Sequence, residues 1–116
     1  MTKAPPKPLH RLARADADVL DAIDHYVAEA PEAAGGFVDA LEAAYQHIQR
    51  APATGSPRYA HELNLPGLRF WMCSRYPYLV FYRERADRID VWRALHAKRD
   101  IPAWLGDVGE YLPPQG

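Results

Sequence analysis

The sequence has few of the features that cross-link a protein internally or anchor it in a membrane. Its single cysteine, Cys73, excludes an internal disulfide and any cysteine-rich zinc site, and it fits a reducing compartment. The longest apolar run, Tyr78–Tyr82, falls far short of the about 20 residues that span a bilayer. Basic residues near the N-terminus are not followed by an apolar stretch, so this segment lacks the form of a signal peptide. We therefore expect a cytoplasmic protein that does not enter a membrane.

Motifs for metal or cofactor binding are also missing. The five histidines show no ligand spacing of the HExxH type, because His61-Glu62 lacks the second histidine of that motif. Gly35-Gly36 does not have the context of a phosphate-binding loop. Ser56 and Ser74 lack the sharp turn that presents a serine nucleophile. The sequence accordingly predicts no metal ion, no cofactor and no small-molecule partner.

The composition that is present is that of one globular domain. The chain has 116 residues, of which 48% are hydrophobic and 25% charged, and this balance excludes a disordered, collagen-like or coiled-coil chain. A chain of this length has room for one hydrophobic core. Prolines cluster at both ends, so we predict a single domain over residues 1–116 with flexible ends at 1–8 and 107–116.

A helical hairpin is predicted in the first half, after a short strand at Leu9–Ala13. From Ala15 onward, apolar residues recur at spacings of three and four, which is one face of a helix. Pro31 stops the first helix and can begin the second, and the short connection predicts antiparallel packing. We attribute Gly35-Gly36, within the second helix, to a close approach of the two helices. The predicted buried stripes are Val19, Ile23, Tyr26, Val27 and Ala30 on the first helix, and Phe37, Leu41, Ala44, Tyr45 and Ile48 on the second.

The second half has the patterns of strands. Leu68–Cys73 alternates in polarity, and Tyr78–Tyr82 is apolar throughout, as expected for a central strand buried on both faces. The last strand begins at Ile89, and simple alternation places Arg93 and Leu95 on the face of Ile89. A short helix over Ile101–Leu105 follows. The sequence thus predicts an α+β fold of order β-α-α-β-β-β, with an N-terminal helical hairpin on one face of a small antiparallel-rich sheet and a short C-terminal helix.

The net charge of −1 conceals an uneven distribution of charge along the chain. Residues 16–49 contain eight acids and no lysine or arginine, whereas residues 58–99 contain nine bases and four acids. This asymmetry indicates an anionic or acidic partner on the sheet side. The alternative is that the acids of the hairpin pair with the bases of the sheet. Most of the 14 bases are arginines, which favour planar contacts with carboxylate or phosphate.

Three motifs of the second half carry a resemblance to a known family. They are Gly67-Leu68-Arg69, the run Pro77–Arg83, and Ile89–His96 followed by Arg99-Asp100. Together with the helical pattern they resemble the RelE/ParE superfamily, the small toxins of bacterial type II toxin–antitoxin modules. The likeness extends from about Leu9 to Leu105, and it implies the same β-α-α-β-β-β order. The ending Leu95-His96-x-x-Arg99-Asp100 is most similar to the ParE branch.

The resemblance implies a toxin of the plasmid-stabilisation type that a cognate antitoxin neutralises in a hetero-oligomer. ParE-like members bind DNA gyrase and trap it on cleaved DNA without a reaction of their own, so this branch implies no catalytic residue. RelE-like members are ribosome-dependent mRNA endoribonucleases, and this alternative stays open, as does a non-toxic protein-interaction domain. We expect the antitoxin to lay an apolar helix into a groove between hairpin and sheet.

The candidate site residues lie in the basic half of the chain. On the endoribonuclease alternative, cleavage needs an acid or base and cations at the phosphate, with His96 in the first role and Arg69, Arg93 and Arg99 as clamps. Many nuclease members end in tyrosine where Ala97 follows His96, so Tyr76 and Tyr82 are candidate substitutes, while Tyr111 lies in the proline-rich tail. For a toxin that acts by binding, the predicted contacts with the target are Arg69, Arg83, Arg93, His96, Lys98 and Arg99.

Overall fold

The computed structural model describes residues 5–105, and it confirms the predicted order of elements. The predicted end segment 107–116 and Tyr111 lie outside the described residues. Between the helical hairpin and the strands of the second half, the chain forms a short 3₁₀ turn and a short helix. In chain order the elements are β1 (Leu9–Arg11), α1 (Ala13–Glu29), α2 (Pro31–Arg50), a 3₁₀ turn (Pro52–Thr54), α3 (Arg58–Glu62), β2 (Leu68–Met72), β3 (Tyr78–Glu84), β4 (Ile89–His96) and α4 (Ile101–Leu105).

The four strands form one mixed sheet in the order β1-β4-β3-β2. β2, β3 and β4 are antiparallel neighbours, whereas β1 runs parallel to β4. The apolar run of β3 is buried from Tyr78 to Tyr82, as predicted for a central strand covered on both faces. β1 is short and pairs with β4 only up to Val91, so within residues 5–105 no strand pairs with the outer side of the rest of β4.

The helical hairpin packs on one face of the sheet and forms the larger core. Four residues of the predicted α2 stripe, Phe37, Leu41, Ala44 and Ile48, are buried there, and each large apolar side chain contributes about 1.5–3 kcal/mol when fully buried. Within the α1 stripe the prediction for Val27 is wrong, because its side chain is 55% exposed. No helix within residues 5–105 is long and apolar enough to cross a membrane.

The opposite face of the sheet carries a second, smaller core, and the sequence analysis did not predict which elements cover it. α3, α4 and the segment before β2 cover this face, so both sides of the sheet are packed. Its buried members are Leu68, Leu79, Phe81, Trp92, Leu95, Ile101 and Leu105.

A β-bulge in β4 changes which side of the sheet its second half faces. The register moves from Tyr82–Val91 to Phe81–Arg93, so Trp92 is an extra residue in β4. Such an insertion reverses the alternation beyond it. The prediction that Arg93 and Leu95 share the face of Ile89 is therefore wrong, and Leu95 joins the second core.

The explanation predicted for the glycine pair of α2 is also wrong. A Cβ atom at Gly35 would meet no atom within 4 Å, so the hairpin does not require glycine there. At Gly36 a Cβ atom would collide with the hydroxyl of Tyr76, from the β2–β3 turn. That hydroxyl donates a hydrogen bond to the carbonyl of Ala33, 3.0 Å away. The absence of a side chain at Gly36 therefore allows the close approach of the β2–β3 turn, not of α1.

Candidate functional site

A groove of about 290 Å³ lies beside the C-terminal half of β4. β1 ends at Arg11, and beyond it a space lies between the outer edge of β4 and residues 18–25 of α1. α4 and the segment that follows β4 close one end. The groove is lined by Asp18, Asp21, Ala22 and His25 of α1, Tyr78 of β3, Ala94, Leu95 and His96 of β4, and Arg99 and Trp104.

An ion pair connects α1 to β4 at the groove. Arg93 donates from Nε and Nη2 to the two carboxylate oxygens of Asp18, at 2.7 and 2.8 Å, and from Nη1 to the carbonyl of Trp104 at 3.1 Å. Only 3% of the Arg93 side chain is exposed. This arginine, predicted to contact a target, thus connects α1, β4 and α4 beneath the groove.

His96 lines the groove as a neutral imidazole. Its Nδ1 accepts a hydrogen bond from the backbone N–H of Lys98 at 3.0 Å, and its ring packs edge-on against Tyr78 at 5.1 Å between centroids. Burial lowers the pKa of His96 below 6.5, and the neighbouring charges of Lys98, Arg99 and His25 lower it further. Burial raises the pKa of Tyr78, an effect that Arg99 partly offsets. At neutral pH the pair therefore contributes hydrogen-bonding groups and no charge.

The charge at this end of the groove comes from Lys98 and Arg99, which are both exposed. The Arg99 guanidinium lies over the indole of Trp104, 4.4 Å from the ring centroid, at a distance that permits a cation–π interaction. Trp104 is itself 39% exposed. Tryptophan and arginine are both enriched among the residues that contribute most to binding at protein interfaces.

The structure does not bring Arg69 and Arg83 to the groove. Arg69 donates to the carbonyl of Gly55 at 2.7 Å, and the Arg83 side chain passes over Gly67. Arg83 pairs in register with Asp90, six residues before His96 along β4, which is a separation of about 20 Å. The six predicted contact residues therefore divide into His96 and Arg99 in the groove lining, the exposed neighbour Lys98, the buried Arg93, and two arginines at the other end of the sheet.

Two arginines of the β3–β4 turn form ion pairs with Asp90, a carboxylate in the same half of the chain. Asp90 accepts hydrogen bonds from Arg88 Nε at 2.8 Å and Arg85 Nε at 3.2 Å, and lies 3.3 Å from His10 Nδ1. Burial raises the pKa of Asp90, but the three hydrogen bonds outweigh it, so the net pKa is lowered. Pairing between hairpin acids and sheet bases, the alternative to a free basic face, thus occurs at Asp18–Arg93 but not here.

The two tyrosines considered as nuclease substitutes are bound to backbone groups. The hydroxyl of Tyr76 donates to Ala33, as described above. The hydroxyl of Tyr82 donates to the carbonyl of Pro52 at 2.6 Å and accepts from the N–H of Gly55 at 3.1 Å. The Tyr76 hydroxyl thus connects the β2–β3 turn to α2, and the Tyr82 hydroxyl connects β3 to the segment that contains Pro52 and Gly55. Neither tyrosine lines the groove.

Sequence reasoning did not assign Asp18, Asp21, His25 or Trp104 to the candidate site, although all four line the groove. The local sequence contains no signal for their meeting with β4, because Asp18 and Arg93 are 75 residues apart. Within residues 5–105 there is no group of three histidine, cysteine or acidic side chains that could hold a metal ion.

Comparison with known proteins bears on this arrangement. Residues 10–101 match the family model of the ParE toxin of type II toxin–antitoxin systems, parDE. Among solved structures, a chain of the chromosomal ParDE TA system from P. aeruginosa is 23% identical to this one, with a TM-score of 0.68. The match covers 82% of this chain and 100% of that chain, and at this identity it shows the fold alone. No curated protein sequence gives a significant match.

Proposed function

We propose a function from one premise: the chain belongs to the family of ParE toxins of type II toxin–antitoxin systems. On this premise the protein is a cytoplasmic toxin that inhibits DNA gyrase by binding it. A cognate antitoxin neutralises the toxin in a hetero-oligomer. The observation that carries the proposal is the match of residues 10–101 to the family model, which includes every strand except the first residue of β1.

The geometry of the groove favours binding over catalysis. Cleavage of RNA needs cations that reach the phosphate and a group that removes a proton. Two nitrogens of Arg93 are engaged by Asp18, and the Tyr76 and Tyr82 hydroxyls hold backbone carbonyls. Of the predicted nuclease residues within residues 5–105, His96 and Arg99 alone line the groove. This supports a surface that recognises a partner.

We assign the contact with the target to Lys98, Arg99 and His96 at the rim of the groove. The two cations are exposed and make no ion pair within residues 5–105. Arg93 positions this rim by joining β4 to α1 and α4. Arg69 and Arg83, at the other end of the sheet, stay predicted contacts of a more extended interface.

The test is a gyrase supercoiling assay with the purified chain and two double variants. The wild type is expected to inhibit supercoiling and to stabilise cleaved DNA, and K98A/R99A is expected to lose at least about tenfold in potency, as for a central interface residue. The control is R58A/R75A, which removes two exposed arginines outside the groove lining. Equal potency of all three proteins would exclude the assigned surface.

Two further outcomes would replace the proposal itself. If gyrase is unaffected while mRNA is cut on ribosomes, the endoribonuclease alternative is correct. If expression of the chain alone causes no growth arrest, the chain is a non-toxic interaction domain. Arg93→Ala would not isolate the contact surface, because the loss of this side chain would also disturb the packing of α1 on β4.

A further inference from the structure

Basic side chains collect at the corner of the sheet beside the β3–β4 turn, on the face that carries the second core. Arg83 of β3 pairs in register with Asp90 of β4, so their side chains lie on the same face. Arg85 and Arg88, from the turn between these strands, reach the Asp90 carboxylate on that face. His10 of β1 pairs with Asp90 from the other side. Four basic side chains therefore share this corner with a single buried carboxylate.

Asp90 orients two of the arginines and leaves most of their donors unused. Its carboxylate, 7% exposed, accepts from Nε of Arg85 and from Nε of Arg88. Nε is the innermost guanidinium nitrogen, so the two Nη atoms of each arginine project beyond it. Within residues 5–105 the Nη atoms of Arg85 form no hydrogen bond, and Arg88 uses only Nη1, for a 3.4 Å contact with Asp87. The two arginine side chains are 22% and 42% exposed, so an anion in the solvent reaches these donors.

Arg83 adds a guanidinium that has no partner in the described part of the chain. It forms neither a hydrogen bond nor an ion pair there, and its side chain runs across Gly67 towards β2. Arg85 and Arg88 lie instead at β4, which is two strand spacings, or about 10 Å, from β2. The cations thus form a row along the end of the sheet. A DNA strand carries a phosphate every 3.4 Å or so along its axis, so a row of this length spans about three phosphates.

The charge at this corner favours phosphate over carboxylate as the bound anion. The three guanidinium groups outnumber the carboxylates of Asp87 and Asp90, and the third acid of the region, Glu84, is paired with Lys7. The planar donor fork of arginine matches two oxygens of one phosphate. A nucleic acid presents its phosphates at a fixed spacing, whereas an acidic peptide would lose side-chain entropy to present its carboxylates in a row. A phosphodiester backbone is therefore the better match.

We propose that Arg83, Arg85 and Arg88 bind the phosphodiester backbone of DNA, with Asp90 as the positioning residue for the last two. The contact is independent of base sequence, because phosphate contacts carry no sequence information directly. The choice of DNA rests on the proposed function, in which the target acts on DNA, whereas the phosphate contact rests on the arginines. Asp90 lies about 20 Å from His96 along β4, so DNA at this corner leaves the assigned target surface uncovered.

The experiment measures binding of the purified chain to a short fluorescent DNA duplex by anisotropy, without gyrase and at several salt concentrations. The wild type is expected to bind with a Kd of about 1–100 μM near physiological salt, as in sequence-independent binding. Arg83→Ala is expected to weaken binding about five- to tenfold at ~0.1 M salt and to reduce the slope of log K against log salt by about 0.9, the effect of one lost phosphate contact. The control Arg75→Ala removes an exposed arginine at the opposite end of β3 and is expected to change neither quantity.

Asp87→Ala tests the same site in the opposite direction. Removal of this carboxylate, which is 78% exposed and lies beside Arg88, is expected to strengthen binding of the duplex about twofold, within the range for a surface charge pair. Arg83 has no partner in the described part of the chain and Asp87 is almost fully in solvent, so both variants are expected to unfold at the wild-type temperature. A decrease in affinity in Asp87→Ala would contradict the inference.

Three further results would overturn the inference. They are the absence of duplex binding by the wild type at low salt, equal losses in Arg75→Ala and Arg83→Ala, and equally strong binding of poly-glutamate, which would identify an acidic protein as the partner. Stronger binding of an RNA duplex would overturn the choice of DNA. A chain that inhibits supercoiling but binds no DNA would contradict this inference alone. A chain that binds DNA as expected and leaves gyrase unaffected would contradict the proposed function and not the phosphate contact.

Discussion

The Asp18 carboxylate binds the side chain of Arg93 and the backbone N–H of the next residue, Ala94, at the same time. It therefore occupies a position on the β4 edge that a longer β1 would fill, and it satisfies a strand donor with a helix side chain. With 3% and 11% of the two side chains exposed, the pair lies almost entirely out of water. In such a place, the loss of one partner leaves a charge that is neither hydrated nor paired.

Substitution of Asp18 by asparagine is expected to reduce the free energy of unfolding by about 3–5 kcal/mol, the usual cost of breaking a buried pair by removing one partner. The measurement is urea denaturation at neutral pH. Asp21→Asn, on the same helix but exposed, is the control and is expected to stay within about 0.5 kcal/mol of the wild type. Similar losses in both variants would mean that the ion pair contributes no more than an ordinary surface charge.

The two adjacent glycines of α2 are expected to respond oppositely to alanine. Gly35→Ala raises the free energy of unfolding by about 1 kcal/mol, because alanine favours the helix and the added Cβ meets no atom. Gly36→Ala brings the same helix preference, but the added atom collides with Tyr76, so we expect overpacking of about 1–3 kcal/mol to cancel or exceed the gain. Tyr76 cannot easily move away, because its ring packs against Tyr26 and Phe37.

A thermal or urea denaturation series checks this pair, with Tyr76→Phe as the background that removes the hydroxyl. In that background Gly36→Ala is expected to recover most of the gain seen at Gly35. If Gly36→Ala stabilises the wild-type chain as much as Gly35→Ala does, the close approach of Tyr76 does not affect the free energy of unfolding.

The pKa of His96 is expected to lie below 6.5 in the folded chain, since burial and the nearby cations disfavour the imidazolium. Lys98→Ala should raise this pKa towards 6.5, and Arg58→Ala, which removes a charge from another surface, should not. An NMR titration of the imidazole measures both. A pKa of His96 that does not respond to Lys98 would contradict the electrostatic part of this account.

The lowered pKa of His96 also predicts how the stability of the fold changes with pH. Because the folded-state pKa is lower than that of the unfolded chain, the unfolded chain binds the proton first as pH falls. The contribution of His96 to stability is therefore lost from about pH 6.5 downward, until the folded-state pKa is passed. A shallower loss in His96→Gln over this window, measured by denaturation at several pH values, is the expected result.

Cys73 is expected to be inert in the folded chain. Its side chain is buried, and burial raises the pKa of the thiol to about 11, so little of the reactive thiolate exists at neutral pH. A thiol reagent such as DTNB at pH 8 should label the urea-unfolded chain rapidly and the native chain only at the rate of unfolding. Equal labelling rates in the two states would show that the residue is accessible.

Several elements could be predicted because their signals are local. Four of the five stripe residues predicted for α2 are buried, and β3 is covered on both faces as its unbroken apolar run indicates. Pro31 begins α2, as its fixed backbone angle favours. For α2 and β3, the burial of each residue follows from the 3.6-residue or two-residue period of a single segment.

Less of the candidate site could be predicted, because it depends on register and on distant pairs. His96 and Arg99 were recognised from the resemblance of the C-terminal motif, and both line the groove. The face assigned to Arg93 was wrong because no local pattern marks the bulge at Trp92. Asp21, His25 and Trp104 come from segments whose local sequence fits an ordinary helix.

By itself, the sequence determined the type and order of the main elements, the acidic hairpin and basic sheet half, and the resemblance to a toxin family. Only the tertiary structure decided which of those charges meet. Arg93 is buried against Asp18, while Lys98 and Arg99 remain on the surface, although all three lie within seven residues. The physical reason is that helix and strand periods arise between near neighbours, whereas an ion pair or an open strand edge arises where separate segments pack together.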